Sequence, residues 1–299
     1  MDQADKLRNI IKASQVASPN NARVITVTSG KGGVGKSSIS LNLAISMSRM
    51  GQRVVLLDAD FGLANIEVML GMRPRANLAD LMFRGRDLKD IIMDGPEGIK
   101  FISGGSGIQE LARMNREQCI YLTKKLVELD ELADVIIIDT GAGISDSVLE
   151  FVASSNEVLL VATPEPTSIT DAYALLKALN RKSEFSKSST TIKMIANRVR
   201  NEEEGKDVLY ENMKNVVDRF LNLSLEFLGS IPQDDQVSKA VMKQTPVTIS
   251  FPNSGASKAI GEMAKELLKD RDEEADVPEE RGITLLFSNL IRNKFKKKQ

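Results

Sequence analysis

Gly30-Lys31-Gly32-Gly33-Val34-Gly35-Lys36-Ser37-Ser38 follows the apolar run Val24 to Thr28 and opens a stretch at helical spacing that runs to Met50. Strand, glycine-rich loop and helix in that order give the pattern G-x-x-x-x-G-K-[ST] the context that makes it meaningful. The glycines let successive backbone N–H groups converge on phosphate oxygens, and the start of the following helix adds a favourable dipole. Lys36 is placed to reach the terminal phosphates, and the Ser37 hydroxyl to ligate Mg²⁺. The stretch therefore predicts a nucleotide phosphate site, and with it an α/β fold.

Working outward, short Val- and Ile-rich runs alternate with longer stretches at helical spacing. Strands are predicted at Val24 to Thr28, Val54 to Asp58, Ile99 to Ile102, Val135 to Asp139, Val158 to Thr163, Ile192 to Asn197 and Phe227 to Ile231. Helices are predicted at Lys36 to Met50, Arg116 to Leu132, Ile169 to Arg181, Val208 to Leu221 and Ala256 to Leu268. Several of the strands are almost wholly apolar, as a parallel sheet covered by helices on both faces requires. One P-loop domain over residues 22–270 accounts for them. Residues 1–21 hold a short amphipathic helix and a breaker-rich linker. Residues 271–281 form an acidic linker expected to stay solvated, and residues 282–299 an amphipathic helix.

Composition removes several chemistries. Forty Lys and Arg against 41 Asp and Glu leave a net charge of −1, which makes nucleic acid an unlikely partner for the surface as a whole. With no histidine and one cysteine, Cys119, the chain lacks imidazole catalysis, His/Cys zinc sites, an internal disulfide and the cysteine pair an iron–sulfur cluster needs. No apolar run reaches the roughly 18 residues of a membrane span, so the expected location is cytoplasmic.

Two further segments complete a site. Asp58-Ala59-Asp60 puts carboxylates at i and i+2 where the second strand ends, and Val135-Ile136-Ile137-Ile138-Asp139-Thr140-Gly141-Ala142-Gly143 is an apolar strand closing on Asp and then glycines. Ligands of open α/β sheets bind at that strand edge. Taken alone, the carboxylate pair would serve equally as a helix cap or turn.

Lys31, a second lysine early in the loop, makes Gly-Lys-Gly-Gly-Val-Gly-Lys-Ser resemble the deviant Walker A motif of the MinD/ParA family. The resemblance implies an ATPase that binds ATP with Mg²⁺ and closes as a homodimer, with Lys31 crossing to the partner's nucleotide. It implies that Asp60 orients or deprotonates the attacking water, while Asp58 and Asp139 support Mg²⁺ through water. Gly141 and Gly143 would let the loop sense the γ-phosphate. Asn197-Arg198 and Pro232-Gln233-Asp234 resemble the family's adenine-contacting segments, although turn-forming roles for Asn197 and Pro232 fit as well.

The two ends of the chain select a branch. At helical spacing Ile283, Leu286, Phe287, Leu290, Ile291 and Phe295 share one face, and five basic residues with no acidic one follow Gly282. This reads as a helix that lies reversibly on an anionic membrane surface when the ATPase is ATP-bound. Packing on its own domain or on a partner is the other reading, and the acidic linker argues against tight docking. Asp2-Gln3-Ala4-Asp5-Lys6-Leu7-Arg8 matches the D-Q-A-x-x-L-R motif of the FlhG branch, MinD-like ATPases of flagellar systems. That resemblance implies that Gln3 activates the GTPase FlhF, that switch-complex (C-ring) proteins are partners, and that the output is flagellar number and placement. A division-site MinD-type ATPase and a DNA-bound partitioning ATPase are the alternatives.

Overall fold

A computed structural model describes residues 22–60, 65–105, 116–183, 185–187, 189–273, 282–287 and 290. Its strands are β1 (Arg23–Ser29), β2 (Val54–Ala59), β3 (Ile92–Asp94), β4 (Lys100–Ser103), β5 (Val135–Ala142), β6 (Glu157–Ala162), β7 (Thr191–Val199) and β8 (Glu226–Pro232). They form one sheet in the order β3-β4-β2-β5-β1-β6-β7-β8. All neighbours are parallel except β3 with β4. The longer helices are α1 (Lys36–Arg49), α2 (Arg116–Leu132), α3 (Asp146–Ala153), α4 (Pro166–Asn180), α5 (Glu211–Phe220), α6 (Asp235–Met242) and α7 (Gly255–Glu273).

Alternate side chains along each central strand feed different layers, as a pleat of period two requires. Val55, Leu57, Ile136 and Ile138 join Leu122, Leu126 and Leu129 of α2 on one face. Val54, Leu56, Val135 and Ile137 meet α1 and α7 on the other. Residues of α3, α4 and α5 cover β6 and β7. The near-continuous apolar runs thus reflect burial from both sides.

All seven predicted strands are present, each ending within three residues of its predicted limits. The eighth, β3, has only three residues and pairs antiparallel at the sheet edge, too short to carry a periodic signal. The helix predicted from Val208 to Leu221 is present as α5, and its first residues belong to a π-helical turn, Glu204–Tyr210, that leads into it.

The acidic linker and the tail differ from expectation. α7 continues to Glu273, so the linker's first residues are helical. Ile283, Leu286, Phe287 and Leu290, read as a lipid-facing stripe, are buried in the layer between α2 and the sheet. Burying large apolar side chains is worth about 1.5–3 kcal/mol each, enough to outweigh a solvated linker that needs only to span the gap. Ile291 and Phe295 lie outside the described residues, as does Gln3. Among the described residues no helix is long and apolar enough to cross a membrane.

Candidate nucleotide site

The parallel sheet brings the ends of β1, β2, β5, β7 and β8 to one edge, and the predicted nucleotide and metal residues follow those strand ends. The loop Gly30 to Ser38 leaves β1 and enters α1, whose start carries no side-chain cap and no acidic residue in its first turn. An uncapped helix start with convergent N–H groups is an anion cradle. Two glycines are required by close approach. A Cβ on Gly30 would meet the Asp171 carbonyl carbon at 2.1 Å, and Gly35, at φ 95°, would meet the Asn197 amide nitrogen at 2.4 Å.

Asp58 and Asp139 are register partners on β2 and β5, so their carboxyl groups emerge side by side. Lys36 Nζ lies 3.0 Å from Asp139 Oδ1, and the Ser40 hydroxyl donates to the same oxygen at 2.8 Å. Lysine and Asp139 are 6% and 0% exposed, which makes this a buried ion pair. Asp58 Oδ1 accepts the Asp60 backbone N–H at 3.0 Å. Burial, then the neighbouring Asp139, push the Asp58 carboxyl up to about 7.

Asp58 Oδ2 and Asp139 Oδ2 are both buried and have no hydrogen-bond partner. Paired orphan carboxylate oxygens are what a hard, oxygen-seeking cation would satisfy. Among the described residues no group of three His, Cys, Asp or Glu side chains converges. The paired oxygens fit a magnesium ion brought in with nucleotide phosphates, which Asp58 and Asp139 would hold.

A carboxylate held near 7 when folded and near 3.8 when unfolded keeps a proton that unfolding releases, so stability falls as pH rises between those values. Asp58→Asn is therefore expected to stabilise the nucleotide-free protein at pH 8 by about 2–4 kcal/mol and hardly at all near pH 4. Denaturant unfolding at both pH values is the measurement, and an equal gain at each would refute the assignment.

Lys31 does not enter its own phosphate cradle. Its ammonium donates to Glu165 Oε2 at 2.9 Å and to Thr167 Oγ1 at 2.6 Å, on the partly exposed lip at the start of α4. The Lys31 hydrogen bond holds the Glu165 carboxyl below its usual range. Sequence reasoning missed this pairing, because 134 residues separate the partners.

Asn197 donates from its amide nitrogen to the Val34 carbonyl at 2.6 Å, which ties β7 to the phosphate loop. Arg198 takes φ 60° and Gln233 N donates to the Val199 carbonyl, so both segments turn beside the cradle. Asp234 caps α6 through Gln236 N and also accepts Ala256 N. Its carboxylate thus organises the chain near Pro232. Gly143 N donates to the Ser29 carbonyl at 2.8 Å, joining the loop after β5 to the base of the phosphate loop.

With the cradle at the end of β1 and carboxylates arriving from both strands to its side, the fold and site define a P-loop nucleoside triphosphatase. A family model described as ParA, NUBPL iron-transfer P-loop NTPase, matches residues 20–268, and the chain belongs to the ParA/MinD family of P-loop ATPases. It is 43% identical to the antiactivator FleN of Pseudomonas aeruginosa over 85% of this chain and 89% of that one. It is 32% identical to the flagellum site-determining protein YlxH of Helicobacter pylori over 97% of this chain and 98% of that one. The septum site-determining protein MinD of Pyrococcus horikoshii, solved with Mg-ADP, shares the fold at a TM-score of 0.65 and 24% identity, over 86% of this chain and all of that one.

Proposed function

We propose that the chain is an ATP-dependent dimerising switch that regulates flagellar number and placement. The observation that supports the switch is Lys31, which pairs with Glu165 and Thr167 at the lip of its own site rather than turning into its own cradle, and to which we assign the crossing role. The relatives named as a FleN antiactivator and a flagellum site-determining protein support the flagellar output.

In this reading Lys36 leaves Asp139 for the terminal phosphates when ATP binds, and Asp60 orients the attacking water. Magnesium, when bound, neutralises charge on the phosphoryl oxygens. Asp58 and Asp139 would hold it, directly or through water, with their unpartnered oxygens. The closed dimer rests on an anionic membrane surface through residues 282–299, and hydrolysis reopens it. One cysteine in the chain leaves no pair for an iron–sulfur cargo, which separates it from the iron transfer named for the family model.

Lys31→Ala is expected to bind ATP with near-native affinity yet stay monomeric, since the missing charge acts across the interface. Light scattering with ATP tests it, and a variant that dimerises normally would remove the crossing role. The flagellar reading adds a task for Gln3. A peptide of residues 1–21 should stimulate the GTPase FlhF, and Gln3→Ala should remove most of the effect, because a glutamine amide can orient water in an incomplete site. Equal stimulation by both peptides at saturation would defeat the activator role and leave an ATPase switch with another output.

A further inference from the structure

A buried hydroxyl beside the site lies outside the phosphate-loop motif. Ser40 sits in α1 at 0% exposure, among the buried apolar residues Ile39, Leu41 and Leu43, where a hydroxyl without a partner is costly. A serine inside a helix can turn back to the carbonyl four residues earlier, as Ser46 does to Asn42 at 2.8 Å. Ser40 lies 3.1 Å from the equivalent Lys36 carbonyl and closer, at 2.8 Å, to Asp139 Oδ1. Its single proton is drawn toward the carboxylate, because hydrogen bonds to charged acceptors are the stronger ones.

The four-residue step from Lys36 to Ser40 puts both side chains on one face of α1. Both meet the same carboxylate oxygen. Asp139 Oδ1 accepts Lys36 Nζ at 3.0 Å as well as the Ser40 hydroxyl, while Oδ2 is buried without a partner. Among the described residues, these are the hydrogen bonds of the Asp139 side chain. The two donors differ in what nucleotide does to them. Lys36 carries its charge on a long, flexible stem and is the group that the reading above sends to the terminal phosphates. Ser40 has a short side chain on a packed turn of α1 and stays in place. Once Lys36 has moved, Ser40 is the donor left on Oδ1, and holding Oδ1 fixes the direction of Oδ2.

We propose that Ser40 is a positioning residue for ATP hydrolysis, which anchors Asp139 Oδ1 while Lys36 passes from carboxylate to phosphate and so keeps Oδ2 available to magnesium. The inference rests on the reading in which Lys36 moves and the paired carboxylates hold the metal. Hydrogen bonds to a metal-binding carboxylate orient it, and losing one costs about 10–100-fold in metal affinity or activity. Ser37 has the separate task of reaching the metal itself. Ser40, fully buried and one turn beyond Lys36, acts through Asp139.

The test titrates Mg²⁺ with the full chain, reading both ATP hydrolysis and affinity for a fluorescent ATP analogue, and repeats the binding in EDTA. Ser40→Ala should raise the Mg²⁺ concentration for half-maximal effect about tenfold in both readouts. Its kcat should approach the native value at saturating Mg²⁺, and its affinity in EDTA should be native. Ser40→Thr keeps the hydroxyl and should restore the native Mg²⁺ requirement. Ser40→Cys, close to serine in size with a weaker donor, should fall between, and decides the matter if the extra methyl of threonine disturbs the packing. Ser40→Ala combined with Asp139→Asn should need no more Mg²⁺ than Asp139→Asn alone, as expected of residues that act as a unit. A native Mg²⁺ requirement in Ser40→Ala, additive effects in the double variant, or an equal loss of binding with and without Mg²⁺ overturns the positioning role. If Asp139→Asn and Asp58→Asn raise the requirement and Ser40→Ala does not, the Ser40 role falls alone. If both Asn variants keep the native requirement, the reading of the carboxylates as metal holders falls and the Ser40 role with it.

Discussion

Lys36→Met should abolish ATP binding and also destabilise the nucleotide-free protein by about 3 kcal/mol, because it leaves a buried carboxylate without its counter-charge. Lys36 sits 3.0 Å from Asp139, with both side chains buried and Asp58 alongside. Removing one partner of such a pair costs more than removing both. Lys36→Met/Asp139→Asn should accordingly recover most of the stability while ATP binding stays lost, since the phosphate contact itself needs the ammonium. Denaturant unfolding and titration with a fluorescent ATP analogue measure the two quantities separately. A single variant as stable as the native chain, or a double variant that binds ATP, would show that Lys36 does not link the two.

Asp60→Ala should leave ATP affinity nearly unchanged and lower hydrolysis by about 10²–10⁴-fold, the range that a positioned acid or base contributes. Asp60 lies between the end of β2, where its N–H is held by Asp58, and the Gly141 backbone. It is outside the cradle that holds the phosphates, so its loss removes a water-orienting group without disturbing the ligand. The protein should then accumulate as an ATP-bound dimer, visible by light scattering. A variant that remains monomeric with ATP, or hydrolyses it within tenfold of the native rate, would assign the water to another group.

The phosphate loop was legible because its function is local. Backbone N–H groups, two obligatory glycines and an uncapped helix start all lie within nine consecutive residues, so their spacing carries the chemistry. The carboxylates were legible for a related reason. A parallel sheet places its strand ends on one edge, so Asp58 and Asp139 were both expected there, and the pairing of β2 with β5 makes them neighbours. Asp234 was read as part of an adenine-contacting segment, and the structure adds that its carboxylate caps α6, a role that residue type alone does not reveal.

Residue types and their periods thus determined the layers of this protein, the loop, the strand edge and the amphipathic character of the tail. What the tail's apolar face touches was decided by tertiary structure. An amphipathic helix meets the same requirement for burial in lipid, in a partner or in its own domain, and periodicity does not distinguish among them. Here the distinction comes from Asp130, more than 150 residues from the amides it caps, and from Phe151 beneath Phe287. Lys31 and Glu165 follow the same logic: each is an ordinary charged residue in sequence, and only the packing of α4 beside the phosphate loop makes them a pair. Contacts that depend on long loop closure leave no periodic trace in the chain, because each side of the contact is chosen to fit the other in space.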